Sequence, residues 1–232
     1  MGTVNPVLPE TFQNVTLIHA GNSLAQPDVY GASVDGRNVL AKTFQTKPLL
    51  VRLLFGRKTL LHEHGILSRL QDLPNVPRVY EMPDPDTLLM EYVAGHGCIP
   101  DARNSEVGEM PSVHFFAQLK DVLHALHERG VSHGDIRRRN ILWAADDRPV
   151  LIDFGTAVYC HGRLSFLRRA AFNLCRRADA FAVVKIQESC CPGSLTKEEE
   201  RLLAELPWHL RLGRFFKQKI YRRFIKQRIW RR

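Results

Sequence analysis

No run of apolar residues in this chain approaches the roughly 18 needed to cross a bilayer, and there is no internal repeat and no low-complexity linker. Any membrane contact is therefore expected to be peripheral, and solenoid, fibrous and disordered classes are set aside. Cysteine is sparse. Cys98, Cys160, Cys175, Cys190 and Cys191 make an odd set with no Cys-x-x-Cys spacing, so neither a disulfide framework nor a zinc site is indicated and a reducing cytosolic compartment is the simplest expectation. Adjacent cysteines seldom bridge, and Cys190-Cys191 reads as a partly buried structural pair. Residues 1–10 lack a basic start followed by an apolar stretch, so no secretory signal is expected. His124 and His127 lie three apart but lack the further convergent ligands a zinc centre needs.

What is present suffices for a packed core. The 232 residues are 44% hydrophobic, enough for one large domain or two small lobes around a shared cleft. The net charge of +9 is unevenly placed. Residues 1–153 carry 15 basic and 18 acidic groups, residues 154–178 five Arg and no acid, and residues 207–232 ten basic groups and no acid. The basicity thus concerns partners more than fold.

Short β-type runs at Val15 to His19, Val29 to Val34 and Asn38 to Phe44 open the chain, with Asp35-Gly36-Arg37 as a hairpin signal. Leu49, Leu50, Leu53 and Leu54 recur at helical spacing, and Leu60, Leu61, Ile66, Leu67 and Leu70 do so after Gly56; both read as amphipathic helices. Strands are predicted at Arg78 to Glu81 and Thr87 to Val93, and a break at Gly95-His96-Gly97. From Val113 to Arg129 the apolar positions keep a helical period that Gly130 closes. Ile141 to Trp143 and Val150 to Ile152 flank an Asp146-Asp147-Arg148-Pro149 turn as short strands.

The chemistry concentrates between these elements. Residues 133–140 read His-Gly-Asp-Ile-Arg-Arg-Arg-Asn, and thirteen residues later come Asp153-Phe154-Gly155. Phosphoryl transfer from ATP needs one carboxylate facing the acceptor hydroxyl, with an amide oxygen and a second carboxylate on the magnesium ion that neutralises the phosphates. Asp135, Asn140 and Asp153 suit these roles in turn, Asn140 and Asp153 as metal ligands. His133 is expected to orient the loop by hydrogen bonding.

With both motifs in this order, the chain resembles the protein-kinase-like superfamily from about Val15 to about Glu205. The likeness is to its small bacterial lipopolysaccharide-core (Kdo/heptose) kinases in particular, with RIO-type kinases the nearest other comparison. The resemblance implies an α+β, bilobal protein-kinase-like fold. Residues 1–94 would form a small β-rich N-lobe, 95–206 a reduced helical C-lobe bearing the catalytic and metal-binding loops, and 207–232 a basic amphipathic helix. It implies ATP and Mg2+ as cofactors. Val39-Leu40-Ala41-Lys42 is similar to the strand whose lysine meets the α- and β-phosphates, which assigns that role to Lys42. Glu63 stands where the lysine-orienting glutamate would be, its alternative being a solvated helix residue. Leu88 to Val93 resembles the hinge, with backbone groups of Glu91 and Val93 on the adenine edge and Met90 flanking it.

Departures sharpen the resemblance. No Gly-x-Gly-x-x-Gly exists; Gly21-Asn22-Ser23 and Tyr30-Gly31 are the candidates for a phosphate loop. Position 134 is Gly where most protein kinases carry the Arg that reads a phosphorylated loop. No Ala-Pro-Glu follows Gly155, and the residues that remain are too few for the helices that dock peptides, so the acceptor need not be a protein. Arg137, two residues past the base, is the candidate for gripping the transferring phosphoryl or an anionic acceptor. Arg138 and Arg139 read equally as a solvated turn. Asp179 either braces the catalytic loop through backbone amides or caps a helix.

Residues 207–232 place Leu212, Phe216, Ile220, Phe224 and Ile225 on one helical stripe among Lys and Arg, a pattern suited to an anionic membrane surface. Packing of the stripe on the protein is the structural alternative, and no specific nucleic-acid partner is expected, since no base-reading fold accompanies the charge. The expected enzyme is an ATP-dependent kinase of a sugar hydroxyl in the lipopolysaccharide core, acting on an anionic lipid-linked sugar at the cytoplasmic face of the inner membrane. A RIO-like protein Ser/Thr kinase and a non-catalytic nucleotide-binding, membrane-associated regulator are the alternatives.

Overall fold

The computed structural model describes residues 12–101, 109–160 and 166–204. The basic segment 207–232 therefore lies outside the described residues. The chain opens with strands β1 (Gln13–His19), β2 (Asp28–Val34), β3 (Arg37–Thr43) and, later, β4 (Thr87–Glu91), which form an antiparallel sheet in that order. The predicted hairpin closes β2 onto β3. Asp35 (φ 49°) and Gly36 (φ 74°) both take positive φ, as a tight two-residue turn requires. The register sets Val29 opposite Lys42 and Lys42 opposite Leu88. The expected strand Arg78 to Glu81 is only an irregular edge along β4, with Tyr80 N donating to Leu89 O (2.9 Å) and Leu89 N to Glu81 O (2.9 Å). Pro77 and Pro83 bracket it and have no N–H to extend the ladder.

A helical run from Leu49 to Ser68 follows β3: α1 (Leu49–Val51), a π-helical turn (Arg52–Gly56) and α2 (Arg57–Ser68). Two helices separated at Gly56 were expected, and this is corrected. Gly56 does not break the run; it lets the helix lie on Phe44, whose ring carbon Cγ would stand 2.7 Å from an added Cβ. The expectation that both halves bury their leucines is also corrected. Leu60, Ile66 and Leu67 are buried, while Leu49, Leu50, Leu53 and Leu54 are exposed.

At Gly95 the chain leaves the first sheet. The predicted break is strand β5 (Gly95–Cys98), which pairs with β7 (Ile141–Ala144), itself paired with β8 (Pro149–Leu151). Between them α3 (Val113–Glu128) begins at Ser112, whose Oγ accepts from Phe115 N (3.2 Å). It buries Phe115, Phe116, Leu119, Val122, Leu123 and Leu126, each contributing on the order of 1.5–3 kcal/mol. Gly130 (φ 73°) turns the chain out of the helix. Then come β6 (Val131–Ser132), paired with β9 (Val158–Tyr159), and helices α4 (Phe166–Cys190) and α5 (Lys197–Ala204). One apolar core runs from Phe44 and Leu60 through α3 to Phe154 and Val183, so the sheet and the helical part are packed as a unit. This is the expected α+β arrangement, β-rich first and helical after. Among the described residues no helix is long and apolar enough to cross a membrane, and no cluster of three or more His, Cys, Asp or Glu could hold a metal ion.

Candidate functional site

Three elements far apart in sequence meet at Lys42. From β3 its Nζ donates to Glu63 Oε1 of α2 (2.6 Å) and to Asp153 Oδ1 (3.3 Å). Lys42 and Glu63 are buried, whereas the Asp153 side chain is half exposed. Glu63 is therefore no solvated surface residue. Burial alone would lower the Lys42 pKa, but the Glu63 and Asp153 carboxylates outweigh it and hold the ammonium above its ordinary range. Lys42 in turn is the main cause that keeps Asp153 below the usual carboxylate range, against its desolvation. A cation and an anion are thus held side by side, each favouring the charged form of the other.

Asp153 sits at φ 68°, ψ 65°, left-handed for a residue with a Cβ. The flanking residues impose this strain. Phe154 is fully buried, with its ring centroid 4.8 Å from that of His133, and its N–H donates to Glu63 Oε1 (3.2 Å). Glu63 therefore fixes both Lys42 and the backbone just after Asp153.

The loop carrying Asp135 is held from beneath. Asp179, buried in the middle of α4, accepts from Ser132 Oγ (2.6 Å), His133 N (2.8 Å) and Gly134 N (2.9 Å). Of the two readings of Asp179, the brace is the one observed; α4 starts well before it, so it caps nothing. His133 Nε2 donates to Ile152 O (2.9 Å) and Nδ1 accepts from Asp135 N (3.3 Å), which ties this loop to the strand leading to Asp153. Gly134 has φ 74°, and an added Cβ would lie 2.9 Å from Thr156 O. An Arg is sterically excluded there unless the loop shifts.

The Asp135 carboxylate forms an ion pair with Arg137, and Asn140 Nδ2 donates to Asp135 O (2.9 Å) and Oδ2 (3.4 Å). Arg137 Nε is buried without a hydrogen-bond partner, leaving one donor of that guanidinium unused. Arg138 is not a solvated turn: it pairs with Asp101 (2.5 Å) and Ser189. Arg139 is exposed. With its amide nitrogen committed to Asp135, the buried Asn140 keeps Oδ1 as its acceptor atom, and Ile152 N donates to Asn140 O (3.0 Å), which keeps the two loops side by side. An amide oxygen and an anionic carboxylate are hard donors few enough to leave places for phosphate oxygens and water, so Asn140 and Asp153 fit magnesium.

Along the hinge, Met90 is buried, and Glu91 N donates to Arg78 O (2.8 Å). Of the Glu91 backbone groups only the carbonyl remains for an adenine edge; Val93 is half-buried two residues on. The loop between β1 and β2 lies at the Lys42 end of the sheet and contains Gly21-Asn22-Ser23, while Tyr30-Gly31 is inside β2. Gly21 N donates to Asp28 Oδ1 (2.7 Å), and a Cβ at Gly21 would clash with the carbonyls of Gln26 and Pro27. The loop is folded back on itself and needs glycine there.

Sequence reasoning missed Asp28, Asp86 and His62. Asp28 is buried; burial would raise its pKa, but Lys47 (2.8 Å), Thr46 and Gly21 N hold it below the ordinary range. Asp86, read as a turn residue, is gripped by Arg52 and by Arg57 (3.0 Å), which likewise overcome its desolvation. His62 Nε2 bonds Ala157 O (2.8 Å), tying α2 to the segment after Gly155. Asp28 follows Gln-Pro and Asp86 ends a Pro-Asp-Pro-Asp turn, where carboxylates are common for local reasons, so nothing in the pattern set them apart.

Residues 29–171 match the family described as Protein kinase domain. The chain is similar to Serine/threonine-protein kinase cds1 of Schizosaccharomyces pombe, 36% identical over 109 residues (46% of this chain, 22% of that protein). It is similar to RIO-type serine/threonine-protein kinase Rio1 of Methanocaldococcus jannaschii, 27% identical over 155 residues (63% and 52%). A third likeness is to Serine/threonine-protein kinase RAD53 of Saccharomyces cerevisiae, 32% identical over 135 residues (53% and 16%). The chain spans about half or less of the length of these relatives.

Proposed function

The chain belongs to the protein kinase domain family, and from that premise we propose that it transfers the γ-phosphoryl group of ATP to a sugar hydroxyl of an anionic lipid-linked acceptor of the lipopolysaccharide-core kind, at the cytoplasmic membrane face. The observation that carries the choice of acceptor is Arg137, whose side chain pairs with Asp135 while remaining 40% exposed. A guanidinium that already holds the base thus also faces the side from which an anionic acceptor group would arrive.

In this reading Asp135 receives the proton of the acceptor hydroxyl as the new P–O bond forms and the bond to the leaving ADP oxygen breaks. Arg137 and Asn140 fix the rotamer of its carboxylate. Lys42, kept charged by Glu63, meets the α- and β-phosphates, and the backbone around Gly21 cradles them. Met90, the Glu91 carbonyl and Val93 line the adenine. Asn140 Oδ1 and the Asp153 carboxylate hold magnesium, which when bound supplies charge neutralisation at the transferring phosphates. Gly134 removes the cation that would read a phosphorylated loop, so no such switch stands between ATP and transfer. The basic segment 207–232 attaches the enzyme to anionic lipid.

A RIO-like protein Ser/Thr kinase is the second reading, favoured by the likeness to the archaeal RIO-type kinase over 63% of this chain. Labelled-phosphate transfer with purified protein, offering core lipopolysaccharide precursors beside generic protein acceptors, separates the two. Label in the lipid-linked sugar, absent in Asp135→Asn, is the expected result. Label in protein alone would overturn the sugar reading in favour of the RIO-like one.

A further inference from the structure

One side of α2 runs along the segment that follows Asp153. Thr59, His62, Glu63 and Arg69 share that side, at the spacing that aligns side chains on a helix. Each meets a different part of residues 154–159. Glu63 Oε1 accepts from Phe154 N (3.2 Å), and Thr59 Cγ2 would stand 3.3 Å from a Cβ on Gly155. His62 Nε2 donates to Ala157 O (2.8 Å), and the Arg69 guanidinium lies 4.9 Å from the centroid of the Tyr159 ring. Glu63 and His62, neighbours in sequence, thus hold the chain on either side of Gly155.

We propose that His62 is a positioning residue for phosphoryl transfer: by holding Ala157 O it keeps the Asp153 carboxylate beside Lys42, in the place from which it would hold magnesium. The inference rests on the nucleotide-binding reading of the cleft and does not depend on the acceptor. Asp153 stands at φ 68°, a conformation that persists only where both flanks are fixed. Upstream, Ile152 is fixed twice, its N–H donating to Asn140 O and its carbonyl accepting from His133 Nε2. Downstream, Glu63 takes Phe154 N, and Ala157 N closes a short turn onto Phe154 O (3.0 Å). His62 anchors that turn at its far end, so without it the turn is free to swing about Phe154 and relax. The catalytic loop supplies little in its stead. Gly134 offers no side chain to this stretch, and the bond from Thr156 Oγ1 to His133 O is long (3.5 Å). Unlike Glu63, His62 is exposed and is no part of the apolar core. Its substitution leaves no cavity, which lets positioning be told from packing.

The test uses the full chain. His62→Leu removes the donor, and His62→Gln returns an amide N–H to the position of Nε2. Titration with trinitrophenyl-ATP, with and without Mg2+, reads the site without need of an acceptor. His62→Leu is expected to weaken binding about three- to tenfold in the presence of Mg2+, the span of one hydrogen bond. Binding without Mg2+ and the urea midpoint are expected to stay as in wild type, and His62→Gln to restore most of the loss. Turnover of ATP should follow the same order, with kcat lowered in His62→Leu and recovered in His62→Gln. Binding of His62→Leu equal to wild type in Mg2+ overturns the proposal. So does a loss of the same size without Mg2+, a loss that tracks a lowered urea midpoint, or a loss that His62→Gln leaves in place, since each marks a general structural role. The acceptor reading is separated in the same preparation. If wild type binds the nucleotide with Mg2+ in a His62-dependent way yet labels no sugar, the acceptor reading fails and this inference holds. If wild type binds no nucleotide, both fail.

Discussion

Lys42 and Asp135 both stand in the cleft, yet they are held by different means. Lys42 is gripped by groups 21 and 111 residues away, on a helix and a loop, and is buried with its Glu63 partner. Asp135 is gripped by Arg137 and Asn140, two and five residues on, while the frame of its loop is carried by Asp179 from below. The first arrangement couples folding to chemistry, because the ion pair that orients the lysine also joins sheet to helix. The second separates them: the brace holds the backbone and leaves the carboxylate to react.

Substitutions distinguish the two. Asp135→Asn is expected to lower phosphoryl transfer by about 10²- to 10⁴-fold, the span of general-base effects, with the urea midpoint hardly moved. Lys42→Met removes one partner of a buried pair and leaves Glu63 uncompensated, so stability is expected to fall by about 3–5 kcal/mol along with activity; equilibrium denaturation reads this. If Lys42→Met proves as stable as wild type, the coupling of fold to chemistry is wrong. Asp179→Asn weakens charge-assisted bonds to two backbone amides, a loss of about 1–3 kcal/mol, and a drop in kcat with ATP affinity retained marks it as a positioning residue.

The pH dependence sharpens the contrast further. The Lys42 ammonium is raised above its ordinary value, so its contribution to stability is complete below the unfolded lysine pKa of about 10.4 and is lost as pH climbs through the higher folded value. Asp153 is lowered, so its contribution is complete above about pH 3.9 and is lost as pH falls through the folded value. Unfolding midpoints measured from pH 8 upward should decline more steeply in wild type than in Lys42→Met. The smallest effect is expected at the rim: Asp28→Asn loosens the tie to Gly21 and should raise the KM for ATP by about threefold, with kcat kept.

The same division explains what was legible in the sequence. Asp135, Asn140 and Asp153 were visible because their spacing is local, and Lys42 because Val39 to Lys42 resembles the lysine-bearing strand of the kinase-like superfamily. The brace at Asp179 was legible as one of two options, and only the start of α4 at Phe166 decided between them. Helical periodicity found both leucine-rich segments, 49–54 and 113–126, but not their direction. Period fixes which residues share a face; what lies beneath that face depends on Phe44 and Asp86, which reach the helix from other parts of the chain. The short edge along β4 and the strand at Gly95 escaped for a related reason, since both are defined by a pairing partner rather than by their own composition.

Gly134 also bears on what this chain can become. Its left-handed backbone and the Thr156 carbonyl at 2.9 Å from any Cβ make a side chain there harmful before it is useful. To acquire a guanidinium that senses phosphorylation, a descendant would first have to rebuild the turn at Thr156, a change with no benefit until the guanidinium arrives. Two steps that help only together are seldom taken, so the glycine works as a ratchet that holds the turn against Thr156 in its present shape.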